Sequence, residues 1–284
     1  MRLISFLLAL LFAAPVLAAP KAWVVRDTDT EITLFGTVHA LPRGIDWLTP
    51  ALVARVDGAD TVVLEAVLPT DPAALQPVIA RIGMPIGLKP IAQRVPASDV
   101  PRLTAAAVAV GVPMAALDRM ESWLAAMTIG NAALASAGLS AETGAEAVLL
   151  ARARSANKPV IGLETAEQQL GFFGGLPPAD QTAMLLATIG EVGTAKADMD
   201  AVVALWMAGD VDAIARDFAT EMQATPVLRQ RLLTQRNARW ADWLAGVMAR
   251  PGKVFVAVGA GHLGGSDGLL AMLRAKGLAV AAAE

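Results

Sequence analysis

The 284-residue sequence has no cysteine, no tyrosine and only two histidines. Without cysteine there is no disulfide, no thiolate metal site, no cysteine nucleophile and no residue for a lipid anchor. Without tyrosine, haem ligation through that residue is excluded. Positive charge is also scarce: the formal net charge is -3, and no basic cluster offers a footprint for nucleic acid. Several catalytic signatures are missing as well. There is no His-Glu-x-x-His pair and no phosphate loop ending in Gly-Lys-Ser/Thr. A domain without disulfides must rely on its core. A hydrophobic fraction of 55% over this length provides one large core, or one core with a helical insertion.

The N-terminus has the pattern of a secretory leader. Met1 and Arg2 give a positive start, residues 3–12 are apolar except Ser5, and Val16-Leu17-Ala18 is a small-residue cleavage site. Residues 1–18 are therefore expected to be a signal peptide, leaving Ala19 first in a mature chain exported to a bacterial periplasm. An uncleaved anchor fits less well, because the apolar core is short and exits through small residues. No later run of spanning length lacks charges or breakers, so no stable membrane insertion is expected after cleavage.

Along the rest of the chain, strand patterns lie at both ends and once in the middle. Residues 22–26 and 31–35 read as a hairpin around Asp27-Thr28-Asp29-Thr30. A helix over 50–57 and a strand over 61–66 follow. From about 71 to 157 the pattern is helical and alanine-rich, with breaks at Gly83-Met84-Pro85, Lys89-Pro90 and Gly111-Val112-Pro113. A strand over 159–164 precedes a helix capped by Thr165, and helices continue from 179 to about 248. The chain closes with a strand over 253–258, a helix over 266–276 stopped by Gly277, and a strand over 278–281. These elements predict a single α/β domain over 19–284. Its central sheet is built from strands at both chain ends and flanked by helices, with a large helical insertion at about 71–157.

The two histidines occupy the same local setting. Gly36-Thr37-Val38-His39 and Gly259-Ala260-Gly261-His262 each follow an apolar strand. In an open α/β sheet, ligands bind beyond the carboxyl ends of strands, which predicts one shared site. Two imidazoles and a carboxylate make a three-ligand metal site with an open position for water. Glu65 is the leading third ligand, because it also ends a buried strand; the alternative is a carboxylate capping the next turn. Glu164 ends another strand, but it could equally belong to capping chemistry with Thr165 and Glu167. Leu233, Arg236, Asn237, Trp240, Trp243, Leu244 and Val247 share one helical face, which puts Arg236 and Asn237 in line with an apolar seam. A buried arginine needs a partner. Arg236 is then either a cation for a substrate carboxylate or oxyanion, or the counter-ion of a structural acid such as Glu65 or Glu164. Trp206, Trp240 and Trp243 read as core.

Taken in order, these pieces resemble the TraB/PrgY/GumN family, in particular its exported GumN-like bacterial members. The resemblance is carried by Leu34-Phe35-Gly36-Thr37-Val38-His39, Val63-Leu64-Glu65, Gly162-Leu163-Glu164-Thr165, Arg236-Asn237-Ala238-Arg239-Trp240 and Gly259-Ala260-Gly261-His262-Leu263-Gly264-Gly265. The family is similar to the Tiki metalloproteases, which carry two Gly-x-x-His motifs and a glutamate. That resemblance implies a divalent-metal site (Mn, Co or Zn) at His39, His262 and Glu65. It also implies hydrolysis of a peptide or small-molecule substrate, with Arg236 as a polar member of the pocket; with the residue reading above, Glu65, Arg236, Asn237 and Glu164 are the catalytic candidates. The wider group is also similar to haem-binding and esterase-like proteins, so a non-catalytic periplasmic binding or assembly factor, related to polysaccharide or haem, is the alternative. Relatives usually have Gly-x-Asp where this chain has Gly144-Ala145-Glu146, and Glu146 is read as structural.

Overall fold

The computed structural model describes residues 19–69, 71–222 and 226–283. The expected signal peptide lies outside these residues. No described helix is long and apolar enough to cross a membrane.

Among the described residues eight strands form: β1 (Ala22–Arg26), β2 (Thr30–Thr37), β3 (Leu41–Pro42), β4 (Thr61–Ala66), β5 (Leu139–Ser140), β6 (Val160–Glu164), β7 (Gly252–Gly259) and β8 (Val280–Ala282). Six of them make the central sheet in the order β6-β4-β7-β2-β1-β8. The expected hairpin forms, with β1 and β2 antiparallel and Arg26 opposite Glu31. At the centre β7 runs parallel to both β2 and β4, and β4 runs parallel to β6. A strand covered on both faces must be apolar at successive positions rather than alternate ones. Phe255-Val256-Ala257-Val258 satisfies this, and all four are fully buried.

The last long strand is thus inserted between two early ones. Thr37 of β2 lies opposite Gly259 of β7, so the two Gly-x-x-His motifs leave neighbouring strands at the same level. The core beneath them is aromatic. Phe35 stacks on Trp47 with centroids 5.7 Å apart, and the indole N–H of Trp206 donates to the Gly36 carbonyl at 2.7 Å. Burying side chains of this kind stabilises the sheet by about 1.5–3 kcal/mol each.

The helical region between β4 and β6 has a core of its own, built from Ile91, Leu103, Ala107, Leu117, Ala126 and Ile129. Three features differ from the sequence reading. Helix Pro178–Glu191, beyond the expected insertion boundary at about 157, completes this second core with Leu185 and Ile189. Conversely, helix Ala145–Ser155, inside that boundary, packs Ala145, Leu149 and Ala153 into the sheet core. The second difference is a two-stranded ribbon, β3 against β5, with Leu41 opposite Ser140 and Pro42 opposite Leu139. Two-residue strands carry no periodicity to read. The helix expected over 266–276 is shorter, Leu269–Ala275, because a glycine turn reaching φ +80° at Gly265 occupies its start.

Candidate functional site

The carboxyl ends of four adjacent parallel strands deliver four of the candidate residues. β6 ends in Glu164, β4 carries Glu65 one residue from its end, and His262 and His39 follow β7 and β2. The fifth and sixth come from helix Gln235–Val247, whose buried face presents Arg236 and Asn237 to the same space. A π turn over Gln230–Thr234 precedes this helix. Such turns often lie beside functional sites because they free backbone carbonyls. Here the Leu232 carbonyl accepts from Arg236 Nη1 at 3.0 Å.

Arg236 is the electrostatic centre. Its Nε donates to Glu164 Oε1 at 2.9 Å, and Nη2 donates to Glu164 Oε2 at 2.8 Å and to Glu65 Oε1. Nη1 donates to Leu232 and approaches His262 Nε2 at 3.1 Å. All five N–H groups of the guanidinium are engaged. Its central carbon lies 4.7 Å from the Trp240 ring centroid and 5.3 Å from that of Phe172. Of the two roles open from the sequence, the structure places Arg236 as counter-ion to both buried glutamates. Glu164 is likewise no cap: the capping box of the following helix joins Thr165 to Gln168.

The tautomer of His262 follows from its neighbours. Asn237 donates its amide to the Asp267 carbonyl at 2.9 Å, which leaves its Oδ1 to accept from His262 Nδ1 at 2.7 Å. The proton is therefore on Nδ1, and Nε2 offers its lone pair to Arg236. Burial drives the His262 pKa down to about 3; the Glu65 charge opposes this, and Arg236 and His39 reinforce it. Burial alone would raise Glu65, but the charges of His262, Arg236 and His39 and the Arg236 hydrogen bond bring it to about 2. Since His262 is neutral near pH 7, Arg236, with His39 beside it, keeps Glu65 ionised there. Glu65 also accepts from Gly259 N–H at 3.1 Å and from Gln169 at 2.9 Å.

His39 differs from His262. Its side chain is 69% exposed, and Nδ1 contacts Glu146 Oε1 at 2.6 Å. Burial of the surrounding loop opposes a charge on the ring. The hydrogen bond and charge of Glu146, with Glu65 behind, outweigh it and raise the pKa to about 9. Water at the open ring moderates that pull.

The three expected metal ligands meet at Gly259. A Cβ there would lie 3.5 Å from Glu65 Oε2, 3.5 Å from His262 Cδ2 and 3.6 Å from His39 Nε2. The missing side chain leaves a cradle faced by two imidazoles and a carboxylate, a donor set that fits a divalent ion of the Mn, Co or Zn kind. The residues are not drawn together around it. Among the described residues, no group of three or more His, Asp or Glu side chains is arranged to hold a metal ion. Arg236 stands against the Nε2 of His262 instead.

A family model described as the TraB/PrgY/gumN family matches residues 22–282. The chain belongs to this family. YbaP of Escherichia coli (strain K12), an uncharacterized protein, is 27% identical over 255 residues, covering 90% of this chain and 92% of YbaP. An uncharacterized protein of Treponema pallidum is 26% identical over 183 residues, covering 60% of this chain and 54% of its own length. No solved structure matches.

Two neighbours of the site went unnoticed in the sequence, and a third was singled out but read as structural. Gln169 bridges Glu65 and Glu164, and Phe172 covers Arg236, both from helix Ala166–Gly174. Glu146, read as structural, lies on His39. Trp243, expected in the apolar seam, is 37% exposed, whereas Trp240 is buried and packs on the His262 ring with centroids 4.6 Å apart.

Proposed function

We propose that this protein is a divalent-metal-dependent hydrolase of peptidase type, with His39, His262 and Glu65 as the metal-holding residues. The observation that carries the reading is the cradle at Gly259: both imidazoles are tied through Nδ1 to oxygen acceptors, and Glu65 Oε2 faces the same space. Metal-binding histidines are oriented in this way by partners on the other ring nitrogen. When bound, the ion would supply polarisation of a substrate carbonyl and a lowered pKa for water. Glu65 either helps to hold the ion or takes a proton through Oε2 as general base. Arg236 and Gln169 keep the opposite edge of Glu65 ionised and fixed. Asn237 holds His262 in one tautomer, and Trp240 and Phe172 shield the charged cluster from water. The choice of peptide bonds rests on the resemblance to the Tiki proteins. Export to the periplasm, with cleavage after Ala18, belongs to the same proposal.

A second reading is a non-catalytic periplasmic binding or assembly factor. It is favoured by one feature, the full occupation of Arg236, which leaves its guanidinium without a free N–H for a substrate.

The deciding experiment measures metal content by elemental analysis beside cleavage of a mixed peptide library, with manganese, cobalt and zinc each supplied. His39→Ala and His262→Ala should each abolish ion uptake and turnover. If Glu65 is the base, Glu65→Gln should keep the ion and lose about 10²–10⁴-fold in rate; if it is a ligand, it should behave like the histidine variants. Ion uptake without cleavage of any peptide would refute the peptidase assignment. No uptake of any of the three ions by the wild type would refute the hydrolase reading.

A further inference from the structure

We propose that Glu146 is a positioning residue for His39, and that residues 139–146 form a splint that aims this imidazole into the Gly259 cradle. The proposal rests on the reading of His39 as a ligand, and it concerns the one candidate that the sheet does not hold by itself. His262 is enclosed by Asn237, Arg236 and Trp240. His39 stands on a loop after β2 with most of its side chain exposed, and an exposed side chain there would sample several rotamers.

The splint consists of several independent ties between that loop and the segment before helix Ala145–Ser155. The Ala145 N–H donates to the Val38 carbonyl at 3.0 Å. The Thr143 hydroxyl donates to the Leu41 carbonyl at 2.6 Å. The ribbon of β3 and β5 pairs Leu41 and Pro42 with Ser140 and Leu139. Contact is so close that a Cβ at Gly144 would lie 2.1 Å from the His39 carbonyl oxygen. Only glycine permits that approach, and it places Glu146 beside the ring.

Glu146 is itself held at both ends. Its helix packs into the sheet core through Ala145, Leu149 and Ala153. Its Oε1 accepts from the buried hydroxyl of Thr37, the last residue of β2, as well as from His39 Nδ1. The other oxygen, Oε2, is buried without a hydrogen-bond partner. An uncompensated carboxylate oxygen weakens a fold, so stability alone does not account for an acid here. With Nδ1 engaged by Glu146, Nε2 is the nitrogen that faces Glu65 and His262.

The test uses the scarcity of histidine. With two imidazoles in the chain, ¹³C relaxation of the ring carbons reads each one separately, and His262 serves as the internal control. In the wild-type protein the His39 ring should be as ordered as that of His262 despite its exposure. Glu146→Ala should loosen the His39 ring, leave His262 unchanged and weaken ion binding by about 10–100-fold, the usual effect of losing such a partner. Glu146→Gln retains an acceptor and should fall between. A mobile His39 ring in the wild type would overturn the proposal without any variant. So would an ordered ring and ion affinity within twofold of wild type in Glu146→Ala. If the wild type takes up no ion, the ligand reading falls, and ring relaxation still decides whether Glu146 positions His39.

Discussion

Replacing Gly259 by alanine separates the site from the fold. The backbone there has φ −49° and ψ 134°, which any L-residue adopts without strain. The added methyl would meet Glu65 Oε2 at 3.5 Å, His262 Cδ2 at 3.5 Å and His39 Nε2 at 3.6 Å. These are ordinary van der Waals distances, so nothing has to shift. Gly→Ala at a compatible position stabilises by about 0.4–1 kcal/mol through the unfolded chain, and the lost hydration of nearby polar atoms offsets part of that. The net change should stay within about 1 kcal/mol, a Tm shift of roughly 2–4 °C for a domain of this size. Ion binding should respond very differently. Metal–nitrogen bonds are about 2.0–2.1 Å, and a methyl within van der Waals contact of all three donor groups leaves no room for an ion among them. Paired measurements of thermal unfolding and of manganese, cobalt and zinc binding by calorimetry should show a native-like melt with uptake lost. Undiminished uptake in a folded variant would refute the location of the site at Gly259. An unfolded variant would refute the packing argument.

Arg236→Leu should destabilise the protein by about 3–5 kcal/mol in urea denaturation, because two buried carboxylates lose their counter-ion; combining it with Glu65→Gln and Glu164→Gln should restore much of the loss, and a single-variant loss under about 1 kcal/mol would argue against the counter-ion role. Stability of the metal-free protein should peak near pH 6.5. Below that, His262, with a pKa lowered from 6.5 to about 3, is protonated first in the unfolded chain, so stability falls as pH drops through that window, and Glu65 adds its loss between 4.5 and about 2. Above it, His39, raised to about 9, is deprotonated first in the unfolded chain, so its contribution disappears as pH rises from 6.5 to 9. His262→Gln should flatten the acid limb above pH 4.5, and an unchanged limb in denaturation profiles would contradict the assignment. Gly144→Ala should cost about 1–3 kcal/mol by overpacking and weaken ion binding at the same time, since its methyl would meet the His39 carbonyl; a neutral melt would speak against the splint.

Sequence reasoning reached the sheet because its signals are local. The parallel strands β4 and β7 contain unbroken apolar runs that stop at Glu65 and Gly259, and β2, broken only by Thr33 between Ile32 and Phe35, stops at Gly36. The same locality exposed the repeated Gly-x-x-His motif, and two histidines in one setting pointed to one site. Arg236 was visible as a charge inside an apolar helical stripe. Its role was not, because pairing with Glu65 or Glu164 depends on which strand ends face that helix.

What the sequence by itself determined is the content of the longer elements and roughly where they stop, because hydrophobic period, glycine and capping chemistry act over a few residues. Thr165 and Gln168 close their box at sequence separation three, and the hairpin of β1 and β2 turns within four residues. What only the tertiary structure decided is which side chains meet. β7 lies between β2 and β4 because a strand this apolar is stable only when covered on both edges and both faces. That insertion sets His262 beside His39 and Glu65. The Glu146 contact with His39, the Gln169 bridge and the exposure of Trp243 all depend on long-range packing. No nearest-neighbour pattern records it, since the free energy that fixes these contacts comes from burial shared across the whole core.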